Sequence, residues 1–497
     1  MSIIQTYQTD WITSKPVFYN TKTKRAGAKM VDVIEWSDFE FNPEGLYNYL
    51  FFGYQVFDQT AVQHVKILRH SSILNQFLDE RQNFQYSIEE LNDPIEAYIG
   101  KRTTVDEAVE KLRDHVNSFE VESKKNHPGK RFMLPLSGGY DSRLLATLIN
   151  EKSRIDAFTY DISLSEQYSF EVVRAQEVCR KLGIKWRKLL LNNYWNKAYA
   201  EKNFQAFCLE MPLHASYHME MYDTIVREHG NNYVALSGSV GDWWSGQKVP
   251  LNVPKDHHNF NSLFFNHGIS IPPEFIKVRT DHSIKRQEYE NNIKRLNDDE
   301  LFKIVFARRG RIGLATYIYR TAALYFDVYT PFYDLNIAMS QLNLPGDQRI
   351  GRKWLTNFFK ENNLDIEHDK KKRIIASNDY GLDVKTAYYT LQKDDLLQLQ
   401  YLKEIVDESR LIWINNQLSK IKSIPFPILT PISQKLFHID SLANAMSAKT
   451  IFGSGFDYLY RTLYGMPDIF KAISEWTVLK PLEHALHKAH TFNIEST

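Results

Sequence analysis

Between residues 132 and 238 short apolar runs take turns with helix-patterned segments, and this alternation restricts the fold more than any other property of the chain. FMLPL (132–136) leads through SGGYDS into a helical run ending in ATLIN, and IDAFTYDI (155–162) leads into SFEVVRAQEVCRKLG (169–183). IKWRKLLL (184–191) precedes helical patterning near 196–209 and 214–228, and NYVALSG (232–238) adds another strand ending in glycine. Gly183 falls where a helix closes on a left-handed residue. Strands that alternate with helices across short loops predict an α/β fold, a parallel sheet with helices on both faces.

Outside that stretch the signals are more mixed. SKPVFYN (14–20) and KMVDVIEW (29–36) predict short strands, and NPEGLYNYLFFGYQ (42–55) predicts a turn into a helix. VESKKNHPGK (121–130), polar with a Pro-Gly pair, reads as a loop. Residues 249–300 are polar and rich in His, Asn and Pro, the character of an insertion over the surface. Helical patterning dominates from about residue 300. The expected organisation is a small α+β unit over 1–104, the alternating part over 105–380, and a helical extension over 381–497.

Composition then removes several function classes. A net charge of +1 argues against a general attraction to nucleic acid or to an anionic membrane. No uncharged apolar stretch approaches the roughly 18 residues that span a bilayer. MSIIQTYQTDWITSK has no basic segment followed by an apolar one. Two cysteines, Cys179 and Cys208, form no disulfide framework and suit a reducing compartment. A cytoplasmic protein is expected.

SGGYDS (137–142) sits where a strand of such a sheet hands over to a helix, the place where parallel α/β sheets bind ligands. Adjacent glycines let backbone N–H groups approach an anion, and a helix N-terminus favours negative charge. Ser137 and Ser142 offer hydroxyl donors to phosphate oxygens. A carboxylate at Asp141 would repel polyphosphate unless a cation lay between, so it suits Mg²⁺, which binds few carboxylates and completes its shell with phosphate oxygens. The string is neither a P-loop, lacking Gly-Lys-Ser/Thr, nor a dinucleotide fingerprint, lacking a third glycine.

SGGYDS resembles the pyrophosphate loop of the ATP pyrophosphatase superfamily, and specifically of the asparagine synthetase family. LSGSVGDWWSG (236–246), DVYTPFYD (327–334) and LPGDQRIGRKWL (344–355) resemble further segments of that family in the right order. Residues 41–74 resemble its junction between glutaminase and synthetase domains. The resemblance implies an adenine-nucleotide-hydrolase-like fold that binds ATP–Mg²⁺, adenylates a carboxylate and forms an amide with an amine. Leu136 and Tyr160 would flank the adenine, while Ser137, Gly138, Gly139, Asp141 and Ser142 would hold the β- and γ-phosphates. Ser237 and Gly238 would approach the ribose or α-phosphate, and Asp141 and Asp242 would share the magnesium. The family's lysine after the helical segment would be Lys371 in HDKKKRII.

The departures are as informative. The family's two loop glutamates are Ser239 and Trp243 here, a loop glycine is Val240, and a site-facing arginine is Tyr329. No cysteine follows Met1, and the resemblance makes 1–104 a degenerate glutaminase remnant, so nitrogen should come from ammonia, an acceptor amine or a separate glutaminase. Trp243 and Trp244 could shape an acceptor pocket. His214 and His218, four apart, have metal-binding spacing, but read better as polar positions near the cleft. The expectation is an AMP-forming ligase acting on aspartate or a related small-molecule or peptide acid. The alternatives are a catalytically lost nucleotide-binding subunit and a macrolactam-forming cyclase.

Overall fold

Strands β7 (Arg131–Pro135), β8 (Ile155–Asp161), β9 (Lys185–Leu190), β10 (Tyr233–Leu236) and β11 (Asp327–Tyr329) pair in the order β11-β10-β7-β8-β9. Every pairing is parallel. This is the architecture of a computed structural model, which describes residues 3–161, 170–191, 193–194, 196–213, 216–246, 269–278, 280, 284–295, 316–366, 391–392, 395–423 and 466–495. The chain lays down β7, β8 and β9 in one direction, then returns to place β10 and β11 on the other side of β7. The order therefore reverses between β7 and β10, and their carboxyl ends frame the crevice where such sheets bind ligands.

Successive side chains of a strand point to opposite faces, and each face has its own core. Phe132 and Leu134 share a buried cluster with α2 (Val105–Asn126), α3 (Tyr140–Leu148) and α4 (Phe170–Leu182). Met133 lies in the cluster that holds α5 (Lys197–Phe207) and α6 (Tyr217–His229). Both faces are thus covered, which explains why the central strands β7 and β10 read as nearly continuous apolar runs.

The N-terminal region forms two antiparallel three-stranded sheets around α1 (Pro43–Phe52), with β1 (Ile3–Gln8), β5 (Ser72–Leu78) and β6 (Phe84–Glu90) in one. The other contains β2 (Phe18–Asn20), β3 (Ala26–Gly27) and β4 (Val65–Ile67). Asn42 caps α1 by accepting from the Gly45 N–H, and left-handed Gly53 ends it. The region does not pack by itself: Phe18, Met30, Leu46 and Tyr49 share one core with the sheet's Met133 and Phe158 and with Trp476 and Leu479 of the C-terminal helix Met466–Glu495. Pro481 lies inside that helix and has no N–H for the Thr477 carbonyl. That carbonyl instead accepts from the Leu213 N–H at 2.9 Å, and the neighbouring Val478 carbonyl accepts from the Tyr49 hydroxyl at 3.1 Å. A helix defect thereby becomes a fastening point for two other parts of the chain.

Three expectations are corrected. KMVDVIEW forms two 3₁₀ turns, Met30–Asp32 and Trp36–Asp38, not a strand. Its buried residues are Met30, Val33, Ile34 and Trp36, which do not alternate as the buried face of a strand would. Residues 121–126 continue α2 rather than forming a loop. Leu112, Val116, Glu120 and Ser123 keep one buried helical stripe, so the polar residues after 120 lie mainly on the outer side and the helix ends just before Pro128. Within 249–300, Ile269 and Ile271 are buried in the core, and the Ile271 N–H donates to the Leu50 carbonyl at 2.8 Å. That part is not a surface excursion.

Candidate active site

The loops leaving β7 and β10 lie against each other because glycine stands where they touch. A Cβ on Gly238 would sit 3.0 Å from the Ser142 nitrogen, and one on Gly241 would sit 3.0 Å from Asp141 Oδ1. Gly138, with φ +70°, presses on α4: a Cβ there would lie 2.4 Å from Arg174 Cβ and 2.8 Å from the Ala175 nitrogen. Gly139 meets no backbone: a Cβ there would lie 3.2 Å from Ser137 Oγ alone, a tight contact with a side chain that can turn aside. The two adjacent glycines therefore do different work. Gly138 lets the loop pack, and Gly139 keeps its mouth open.

A cleft of about 300 Å³ opens between these loops. Leu136, Ser137, Gly139, Asp141, Ser142, Tyr160, Ser237, Gly238 and Asp242 all line it, so nine of the sequence-derived positions converge, with Gly138 packed behind them. Lys371 lies outside the described residues. Ser137 Oγ accepts from the Gly139 N–H at 3.3 Å, and Ser237 Oγ accepts from the Ser239 N–H at 3.2 Å, so each loop is held by its own serine. Ser142 differs. Its hydroxyl is buried and has no hydrogen-bond partner within the protein, a costly state that a ligand oxygen would relieve.

Burial raises the Asp141 carboxyl to about 7; Asp242 adds to the rise, while Arg352 opposes it. Two carboxylates share this space, and a divalent cation would relieve both their repulsion and the burial cost. Among the described residues no group of three or more metal-ligating side chains occurs. Asp141 and Asp242 could therefore hold Mg²⁺ with phosphate oxygens completing the shell, which fits the chemistry of that ion.

Arg352 is the site residue that sequence reasoning missed. Its Nη1 donates to Asp141 Oδ1 at 3.3 Å, and its guanidinium lies 5.2 Å from the centre of the Tyr140 ring. It is buried, and its backbone is left-handed at φ +56° just before helix Lys353–Glu361. It lies within 344–355, a stretch that resembles the family, but nothing local separates it from Arg349 beside it.

Five other positions bear on the site, and three of them face away from the cleft. Val240 keeps a left-handed backbone at φ +61°, strained for a β-branched residue, where the resembled family has glycine. Trp243 and Trp244 do not line the cleft: both are core, with Trp244 Nε1 donating to the Phe332 carbonyl at 2.8 Å. Indoles are too large and apolar to remain at a loop tip when a core lies beneath it. Tyr329 also faces away, stacked on Phe119 at 3.6 Å with its hydroxyl 2.8 Å from His115 Nδ1. Ser239 does face the cleft, its Oγ 3.4 Å from the Tyr333 hydroxyl.

Residues 131–247 match the family model described as asparagine synthase, and this stretch, from β7 through both loops, is an asparagine synthase domain. No curated protein sequence matches the chain significantly. Among solved structures, an NH3-dependent NAD synthetase from Campylobacter jejuni is similar at 17% identity and a TM-score of 0.23, covering 43% of this chain and 96% of its own. An NMN synthetase from Francisella tularensis is similar at 16% identity and a TM-score of 0.22, covering 44% and 96%. A glutamine-dependent NAD+ synthetase from Acinetobacter baumannii in complex with ADP is similar at 16% identity and a TM-score of 0.19, covering 54% and 50%.

Proposed function

We propose that this chain is an ATP-dependent carbon–nitrogen ligase that releases AMP and pyrophosphate. A carboxylate oxygen attacks the α-phosphorus of ATP, the bond to pyrophosphate breaks, and an amine nitrogen then displaces AMP from the activated acyl carbon. The observation that carries this reading is the unpartnered Ser142 hydroxyl beside the Asp141–Asp242 pair, at the point where the strand order reverses. Ser142 and the N–H groups opening α3 would bind phosphate oxygens. Asp141 and Asp242 would hold Mg²⁺, which offsets negative charge on the departing pyrophosphate. Arg352 would be freed from Asp141 by the cation and could then face phosphate, a role suited to its planar fork of donors. Aspartate or a related small acid is the acyl donor most consistent with the domain, with ammonia, an acceptor amine or a separate glutaminase supplying nitrogen.

A second reading, nucleotide binding without transfer, is favoured by one observation. At the two positions where the resembled family carries glutamates stand Ser239, hydrogen-bonded to Tyr333, and the buried Trp243. Calorimetry with ATP and Mg²⁺ tests what both readings share. Asp242→Ala and Ser142→Ala should each weaken binding at least tenfold. Unchanged affinity in both variants would sink the nucleotide assignment, whereas binding without turnover on any carboxylate would favour the second reading.

A further inference from the structure

The cleft has an aromatic wall as well as a polar one. Tyr160 stands at the end of β8, and Tyr217 and His218 open α6; all three line the cleft. Their rings form one tight group, with centroids 4.8 Å apart for Tyr160–Tyr217, 4.3 Å for Tyr217–His218 and 6.2 Å for Tyr160–His218. His218 is buried at 7% exposure. The histidine singled out in the sequence for its metal-like spacing thus sits among tyrosines, and His214 lies outside the described residues.

Strand order gives this wall its meaning. The carboxylates and Ser142 gather at the ends of β7 and β10, whereas Tyr160 ends β8, on the far side of β7. Neighbouring strands lie about 4.8 Å apart, so the end of β8 stands roughly 10 Å from the end of β10. That is the scale of the span between the phosphates of a nucleotide and its base. Helix α6 runs into β10 and so presents its N-terminus at the same edge of the sheet. A ligand with its phosphates at the polar end would therefore lay its base against these rings.

We propose that Tyr217 and His218 form, with Tyr160, the base-binding wall of the cleft, and that they select an adenine over other bases. This rests on the reading of the site as an ATP site. Tyr217 supplies a stacking face. The imidazole of His218 carries one donor and one acceptor when neutral, which can read a ring nitrogen or the exocyclic amine of adenine. The assignment makes base recognition separable from phosphate recognition.

The test measures Mg²⁺-dependent binding of ATP, GTP and inorganic pyrophosphate by calorimetry on the full chain. Wild type is compared with Tyr217→Leu, His218→Leu and His218→Gln, each checked for a native circular dichroism spectrum. Tyr217→Leu and His218→Leu should weaken ATP about tenfold, the scale of one lost base stack. Pyrophosphate affinity should stay within twofold. His218→Leu should also bring ATP and GTP to similar affinity, and His218→Gln should recover part of the preference for ATP. Unchanged ATP affinity and unchanged preference in all three variants would overturn the base-wall assignment and leave the ATP reading standing. Loss of pyrophosphate binding in step with ATP would also overturn it, since the residues would then support the cleft and not read the base. Failure of wild type to bind either ATP or pyrophosphate would overturn the ATP reading beneath it.

Discussion

In the cation-free protein Asp141 should make the fold less stable as pH rises, and Asp141→Asn should remove that dependence. Burial, reinforced by Asp242 and opposed by Arg352, lifts the carboxyl to about 7. An aspartate in the unfolded chain ionises near 3.9. Between those values the unfolded chain has released a proton that the folded chain still holds. Stability therefore falls by about 1.4 kcal/mol per pH unit. The contribution is fully present below about pH 4 and is lost as pH rises through 7. From pH 5 to pH 8 the wild type should lose roughly 3 kcal/mol relative to Asp141→Asn. The side chain keeps 23% of its surface exposed, so solvent screening makes this an upper figure. Urea unfolding in the presence of a chelator, at each pH from 5 to 8, gives the two curves. Adding ATP and Mg²⁺ at pH 8 should restore wild type and not the variant, since binding to the folded state alone stabilises it. Parallel pH curves for the two proteins would refute the picture of a buried carboxylate waiting for a cation.

The adjacent glycines should separate in the same assay. Gly138→Ala forces a side chain into α4 and a left-handed backbone, costing about 2–5 kcal/mol. Gly139→Ala should cost less than about 0.5 kcal/mol yet weaken ATP binding, because its Cβ enters the cleft mouth; equal destabilisation by both would contradict the loop geometry. The cysteines give a second check. Both are buried, and burial pushes the Cys179 thiol up to about 12 and raises that of Cys208 as well. Neither can present a thiolate at neutral pH, so the native chain should resist thiol reagents and release no glutamate from glutamine. Glutamate release abolished by Cys179→Ser or Cys208→Ser would overturn this.

What the sequence revealed was local. Strands β7 to β10 stand close to where their apolar runs predicted them, and Gly183 ends α4 at φ +67° as its position implied. The two loops were legible because each carries its chemistry within a few residues of a strand end. Contacts made across long separations were not. Arg352 meets Asp141 from 211 positions away, and no local pattern distinguishes it from a surface arginine. Trp243 and Trp244 misled for the same reason, since only the core around Trp11 and Phe332 reveals that the loop turns their rings inward. The aromatic wall likewise depends on α6 returning to the edge of the sheet where β8 ends, which spacing alone does not disclose.

The central claim is that ATP is cleaved between its α- and β-phosphates for the benefit of a carboxylate. Purified protein incubated with ATP, Mg²⁺, ammonia and a panel of carboxylates, aspartate included, tests it by chromatography of the spent nucleotide. The account predicts AMP and pyrophosphate in equal amounts, formed only with an accepted carboxylate and abolished by Asp242→Ala. ADP and inorganic phosphate as the products of turnover would contradict it.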